Sequence, residues 1–195
     1  MDKQRIGIPR AFFYYIYYPA WRTFFEALGY EVVTSPATNK ETVDRGIHDA
    51  LADACVPVKI FFGHVNLLKN NVDYLFIPRI MSMNGKTIYC PKFLGLPDMI
   101  KAAVRDLPPL ISVTIDARKN RLAIPSAAIQ VARELGHSPW EGLLALRKAL
   151  QVHKQYEALL QQGVFPQESV SLLFPDHLGE LNKPTLKLVK SSTNR

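Results

Sequence analysis

Short apolar runs that read as strands alternate along this chain with longer stretches whose apolar residues recur every three or four positions. That alternation restricts the fold more than any other feature. Arg5 to Pro9 reads as a first strand; Trp21, Phe24, Phe25 and Leu28 follow at helical spacing, and Gly29 is a natural stop. Tyr30 to Thr34 reads as a second strand, and Thr38 with Glu41 matches a capping box ahead of an apolar face of Val43, Ile47, Ala50 and Leu51. A third helix starts at Pro57 with the stripe Val58, Phe61, Phe62, Val65 and Leu68. Val72 to Ile77 is a third strand, and a turn at Asn84-Gly85 leads into Thr87 to Cys90, a short strand or a loop. Pro97 opens a helix with Met99, Ile100, Ala103 and Val104; Leu110 to Ile115 is a strand, and Ala127 to Leu135 a helix stopped by Gly136. The pattern predicts an α/β fold, a Rossmann-like three-layer domain with a mostly parallel sheet over residues 1–136. Ser138, Pro139 and Glu141 then start a long helix ending near Gly163, within a C-terminal extension over 137–182, and the polar, basic residues 183–195 are expected to form a disordered tail.

Of the 195 residues, 48% are hydrophobic, enough to bury a full core. The 24 basic residues outnumber the 17 acidic ones, giving +7, a mild excess that suits an anionic partner such as a phosphate-bearing cofactor or an acidic protein surface. No RNA-binding signature accompanies the aromatic run Phe12 to Pro19, so no nucleic acid is expected as a partner; the run reads as the start of the first helix. No apolar run approaches the ~18 residues that span a bilayer, so no membrane is expected either. The opening residues Met-Asp-Lys-Gln-Arg do not resemble an export signal, and two cysteines make no disulfide framework, so the expected location is cytoplasmic. Dinucleotide, Walker and nucleophile-elbow motifs are absent.

Two local features bear chemistry. Ile8-Pro9-Arg10 is echoed by Ile77-Pro78-Arg79, each predicted to leave an arginine at the carboxyl end of a strand, the edge where open α/β sheets bind ligands. The only cysteines are Cys55 and Cys90. Cys55 stands two residues before Pro57, near the positive end of a helix, which favours an anionic, metal-binding sulfur. Cys90 precedes Pro91 in a proline- and glycine-punctuated segment of the kind found beside cluster ligands. Their spacing matches no metal rule, so on spacing alone they are either ligands or buried packing residues. The five histidines show no ligand spacing with them and read as structural or surface groups.

Ile6-Gly7-Ile8-Pro9-Arg10-Ala11, Thr38-Asn39-Lys40-Glu41, Ala54-Cys55-Val56-Pro57-Val58-Lys59, Phe62-Gly63-His64-Val65, Phe76-Ile77-Pro78-Arg79 and Cys90-Pro91-Lys92-Phe93-Leu94-Gly95-Leu96-Pro97-Asp98 occur in this order. Over about residues 5 to 135 they resemble the uncharacterised domain associated with CoA-enzyme activases, itself similar to the D-component of 2-hydroxyglutaryl-CoA dehydratase and to benzoyl-CoA reductase subunits. The resemblance implies Rossmann-like domains that hold a [4Fe–4S] cluster in a cleft. Cys55 and Cys90 match the first two ligands, and a third has no counterpart, so the chain resembles an N-terminal portion only. It further implies an iron–sulfur redox component acting with an activase on a CoA thioester, or, alternatively, an interaction module or remnant that docks on an activase or dehydratase partner without its own cluster. The missing ligands are then expected from a partner such as an activase or a second dehydratase-like half, from an exogenous ligand, or from a homodimer, since two copies carry four cysteines. Lys59, Arg10 and Arg79 are expected near the negative cluster or a CoA phosphate.

Overall fold

The computed structural model describes residues 3–120 and 122–175. Among them six strands run in chain order: β1 (Arg5–Ile8), β2 (Glu31–Thr34), β3 (Tyr74–Phe76), β4 (Arg79–Ser82), β5 (Leu110–Ile111) and β6 (Thr114–Asp116). Seven helices accompany them: α1 (Tyr14–Ala27), α2 (Lys40–Asp49), α3 (Val56–Leu68), α4 (Pro91–Ala103), α5 (Ala123–Glu134), α6 (Pro139–Gln161) and α7 (Pro166–Leu173). The main sheet is four-stranded and parallel, in the order β2-β1-β3-β5. β1 is aligned Arg5 to Glu31 through Ile8 to Thr34 on one side, and Ile6 to Tyr74 on the other.

Strand alternation sends apolar side chains to both faces. Ile6, Ile8, Phe76 and Ile111 join Phe24 and Phe25 of α1 and the small residues of α5 and α6 in one core. Leu75 and Ile77 join Val58, Phe62 and Val65 of α3 and Ile100 of α4 in the other. The chain leaves β1 for β2 through α1 on the first face and reaches β3 through α2 and α3 on the second. The winding therefore reverses between β1 and β3, which opens a crevice at their carboxyl ends.

The first core continues into the C-terminal helices. α6 packs along α1 and α5, Ala145 and Ala149 are buried, and buried Tyr156 donates a hydrogen bond to the Tyr15 carbonyl at 2.7 Å. The expected capping box at the start of α6 is present: Ser138 Oγ accepts from the Glu141 N–H, and the Ser138 N–H donates to the Glu141 carboxylate at 2.8 Å. The tail expected over 183–195 lies outside the described residues.

Several expected boundaries shift. The capping box of α2 is Asn39 with Thr42, not Thr38 with Glu41. Its buried face is Thr42 and Gly46, whereas Ile47 and Leu51 are exposed. The cause is a close helix crossing: a Cβ on Gly46 would lie 1.8 Å from the Lys59 carbonyl oxygen, and one on Gly63 equally close to that of Thr42, so small residues are selected over bulky apolar ones. The second Ile-Pro-Arg does not end its strand either, because Arg79 opens β4. The N–H groups of Leu75, Ile77 and Arg79 donate in turn to the carbonyls of Pro109, Ile111 and Val113. The donor missing at Pro78 falls on the opposite side, where β1 has ended at Ile8, so the ladder passes the proline undamaged. Leu110 to Ile115 is correspondingly divided between β5 and β6.

Candidate functional site

The loop from Pro9 to Phe13 leaves β1 at the carboxyl edge and turns sharply into α1. Phe12 has φ 53°, a left-handed conformation that a bulky side chain adopts only when its surroundings compel it. Its ring stacks on Phe61 of α3, with centroids 5.4 Å apart, and meets Phe93 of α4 edge-on at 4.6 Å. The strained phenylalanine thus joins the N-terminal halves of two helices.

Both of those helices begin at a cysteine. Cys55 is the N-cap of α3, with Pro57 in the first turn; Cys90 is the N-cap of α4, with Pro91 in the first turn. The helix expected to open at Pro97 opens six residues earlier, so Cys90 stands at a helix start rather than in a loop, and Pro97 is carried inside. Neither sulfur caps a backbone N–H, and both thiols are free and exposed. They are therefore not packing residues. Val56 and Ile88, within two residues of them in sequence, are 64% and 63% exposed.

The three expected cationic residues occupy different settings. Lys59 donates from Nζ to the Ala52 carbonyl at 3.0 Å and so fastens the segment leading to Cys55. Arg79 forms a two-pronged pair with the Asp98 carboxylate, 2.6 Å from Nη2 to Oδ1, and donates to the Leu94 carbonyl at 3.0 Å, clamping β4 to α4. That pairing holds the Asp98 carboxyl below the usual carboxylate range. Arg10 is only 5% exposed. Its backbone N–H donates to Ser35 Oγ at 2.9 Å and its guanidinium lies 5.8 Å from the centre of the Tyr14 ring, but no carboxylate among the described residues pairs with it and its Nε is buried without a partner. Buried charges are ordinarily paired, so Arg10 is a cation without its counter-charge.

Behind Arg10 lies His64, wholly buried, with Nε2 3.0 Å from Thr38 Oγ1 and Nδ1 unpartnered. Burial, and then the Arg10 charge, pushes its pKa down to about 4, so the ring is neutral. Phe12 and the Arg79–Asp98 clamp were not singled out from the sequence: strain shows only in a backbone angle, and Asp98 is an ordinary acidic residue until α4 brings it to β4.

No group of three or more histidine, cysteine or acidic side chains gathers to hold a metal among the described residues. The donors present are two soft, exposed thiols, of the type that suits an iron–sulfur centre.

Fold and edge together define a doubly wound α/β domain that presents two exposed thiols from helix starts. The chain belongs to the family described as CoA enzyme activase uncharacterised domain (DUF2229), whose model matches residues 5–171. The match runs past residue 135, where the resemblance read from the sequence ends, through α6 and into α7. Comparison with curated proteins and with solved structures returned no match.

Proposed function

We propose that this domain contributes Cys55 and Cys90 to an iron–sulfur cluster, of the [4Fe–4S] kind, in an activase-dependent system acting on CoA thioesters. The observation that carries the reading is that the only two cysteines in the sequence both stand exposed at helix N-cap positions, and that one strained phenylalanine ties those helices together. A bound cluster would supply one-electron transfer at low potential. The chain's own residues do the rest. The positive ends of α3 and α4 face the added negative charge. Lys59 fixes the approach to Cys55, and the Arg79–Asp98 pair fixes α4 behind Cys90. Arg10 brings an uncompensated positive charge to the same loop.

A cubane ordinarily takes four cysteine ligands. The remaining ligands therefore come from outside this sequence: from a partner such as an activase or a second dehydratase-like half, or from a second copy of the chain. The exposed Val56 and Ile88 support a covering surface, because they flank the thiols with apolar area that a partner would bury.

Anaerobically purified protein, alone and co-expressed with its genomic neighbours, should contain iron and sulfide and absorb broadly in the visible. Cys55→Ser and Cys90→Ser should each lose most of both. A protein that stays colourless and iron-free in both settings would overturn the reading.

A further inference from the structure

A second site lies on the other face of the sheet. Between α1, α5 and α6 there is a cavity of about 380 Å³, within the size range of small-molecule pockets. Its floor is Phe76, Val113 and Ile115, and its walls are kept apart by the small side chains Ala20, Ala127 and Ala149. The cavity opens to solvent on one side, so its mainly apolar walls face water unless something occupies it. Alanines stand where larger apolar side chains would close the space, so the sequence holds it open.

Polar groups gather at the side nearest the carboxyl edge of the strands. Asn84 and Tyr89 come from the loop between β4 and α4, Tyr17 from α1, and His153 and Glu157 from α6. The Tyr17 and Tyr89 hydroxyls lie 3.5 Å apart, and His153 Nε2 is 3.5 Å from Glu157 Oε1. Among the described residues neither lysine nor arginine lines the cavity, and Glu157 is the sole acidic residue there. Burial lowers the His153 pKa, so the ring adds no positive charge at neutral pH. This lining repels an anionic head group and offers hydrogen bonds to a neutral one.

We infer that the α1–α5–α6 cavity is a binding site for an uncharged, mainly apolar small molecule carrying a hydrogen-bonding head, with the apolar part against Phe76 and Ile115 and the head at Tyr17, Tyr89 and His153. The site does not depend on the cysteines, although Tyr89 adjoins Cys90 in sequence and would let occupancy be felt there.

Trp21 lines the cavity, whereas the chain's other tryptophan, Trp140, is exposed on α6. In full-length protein carrying Trp140→Phe, Trp21 fluorescence therefore reports on the cavity without a contribution from the exposed tryptophan. Titration with neutral N-phenylnaphthylamine should quench Trp21 saturably, with one probe per chain. Anilinonaphthalene sulfonate, which shares the ring system but is anionic, should bind ~tenfold more weakly. Ala20→Phe and Ala149→Leu, filling the cavity from two different helices, should abolish binding in protein whose circular dichroism is unchanged. Glu157→Gln, at the rim, should bring the affinities of the two probes together. The inference is overturned by absence of saturable quenching, by binding that survives in a folded filling variant, or by equal affinity for both probes in the parent.

Discussion

His64 is held neutral in a wholly buried position, with a hydroxyl on one ring nitrogen and nothing on the other. Its folded pKa of about 4 lies below the ordinary histidine value of 6.5, so the unfolded chain takes up a proton first as the solution is acidified. Stability is then fully present above pH 6.5 and declines towards pH 4, by about 3 kcal/mol if His64 alone is considered. Urea unfolding across that interval should show the slope, and His64→Gln should flatten it. Arg10→Met removes the second cause of the depression, so it should make the slope shallower. It also deletes an unpaired buried charge, and the melting midpoint should hold or rise. A steep fall in the midpoint would mean that the guanidinium has a stabilising partner in solution.

Between elements, the α2–α3 crossing sets where Cys55 stands. Gly46 and Gly63 bring the two backbones so close that an added methyl would meet a carbonyl oxygen at 1.8 Å, and backbone cannot swing aside as a flexible side chain can. Gly63→Ala should cost about 3 kcal/mol in chemical denaturation, at the upper end for overpacking. Because α3 must shift to accommodate the methyl, the variant should also retain less iron than the parent under anaerobic purification, even though residue 63 lies about two helical turns from Cys55. Unchanged stability and iron content would show that the helices separate freely and that the crossing does not position the site.

At the scale of the molecule, the last helices belong to the same core as the sheet. Tyr156 is 1% exposed and bonded to the backbone of α1, and Ala145, Ala149 and Val170 lie in the cluster that holds Ile6 and Phe25. A chain ending at Gly136 would expose the apolar flanks of α1 and α5 that α6 covers. It should fail to unfold cooperatively and should aggregate where the full chain stays monodisperse. A cooperative transition in that fragment would show instead that the sheet and its first five helices form a self-sufficient unit. Tyr156→Phe, which strands the Tyr15 carbonyl while leaving the ring in place, should cost only about 1 kcal/mol.

The alternation of apolar runs by itself determined the class of fold, the first two strands, the helix ending at Gly29 with its φ of 92°, and the start of α6 at Ser138, because periodicity and capping are local properties of the backbone. It also placed Cys55 at a helix start. The chain's order of motifs was enough to indicate its family. Tertiary structure decided the rest. Pro91 and Pro97 are equally good openings for a helix in isolation, and packing of Phe93 against Phe12 and Phe13 accompanies the earlier one. Pro78 reads as a strand end until the neighbouring strands show that no ladder bond needs its missing donor. The face of α2 was misjudged because a glycine crossing reverses the usual preference for bulky apolar residues. The burial of Arg10, the pairing of Arg79 with Asp98 and the cavity between three helices are relations among residues far apart in the chain, and these exist only once the sheet has closed.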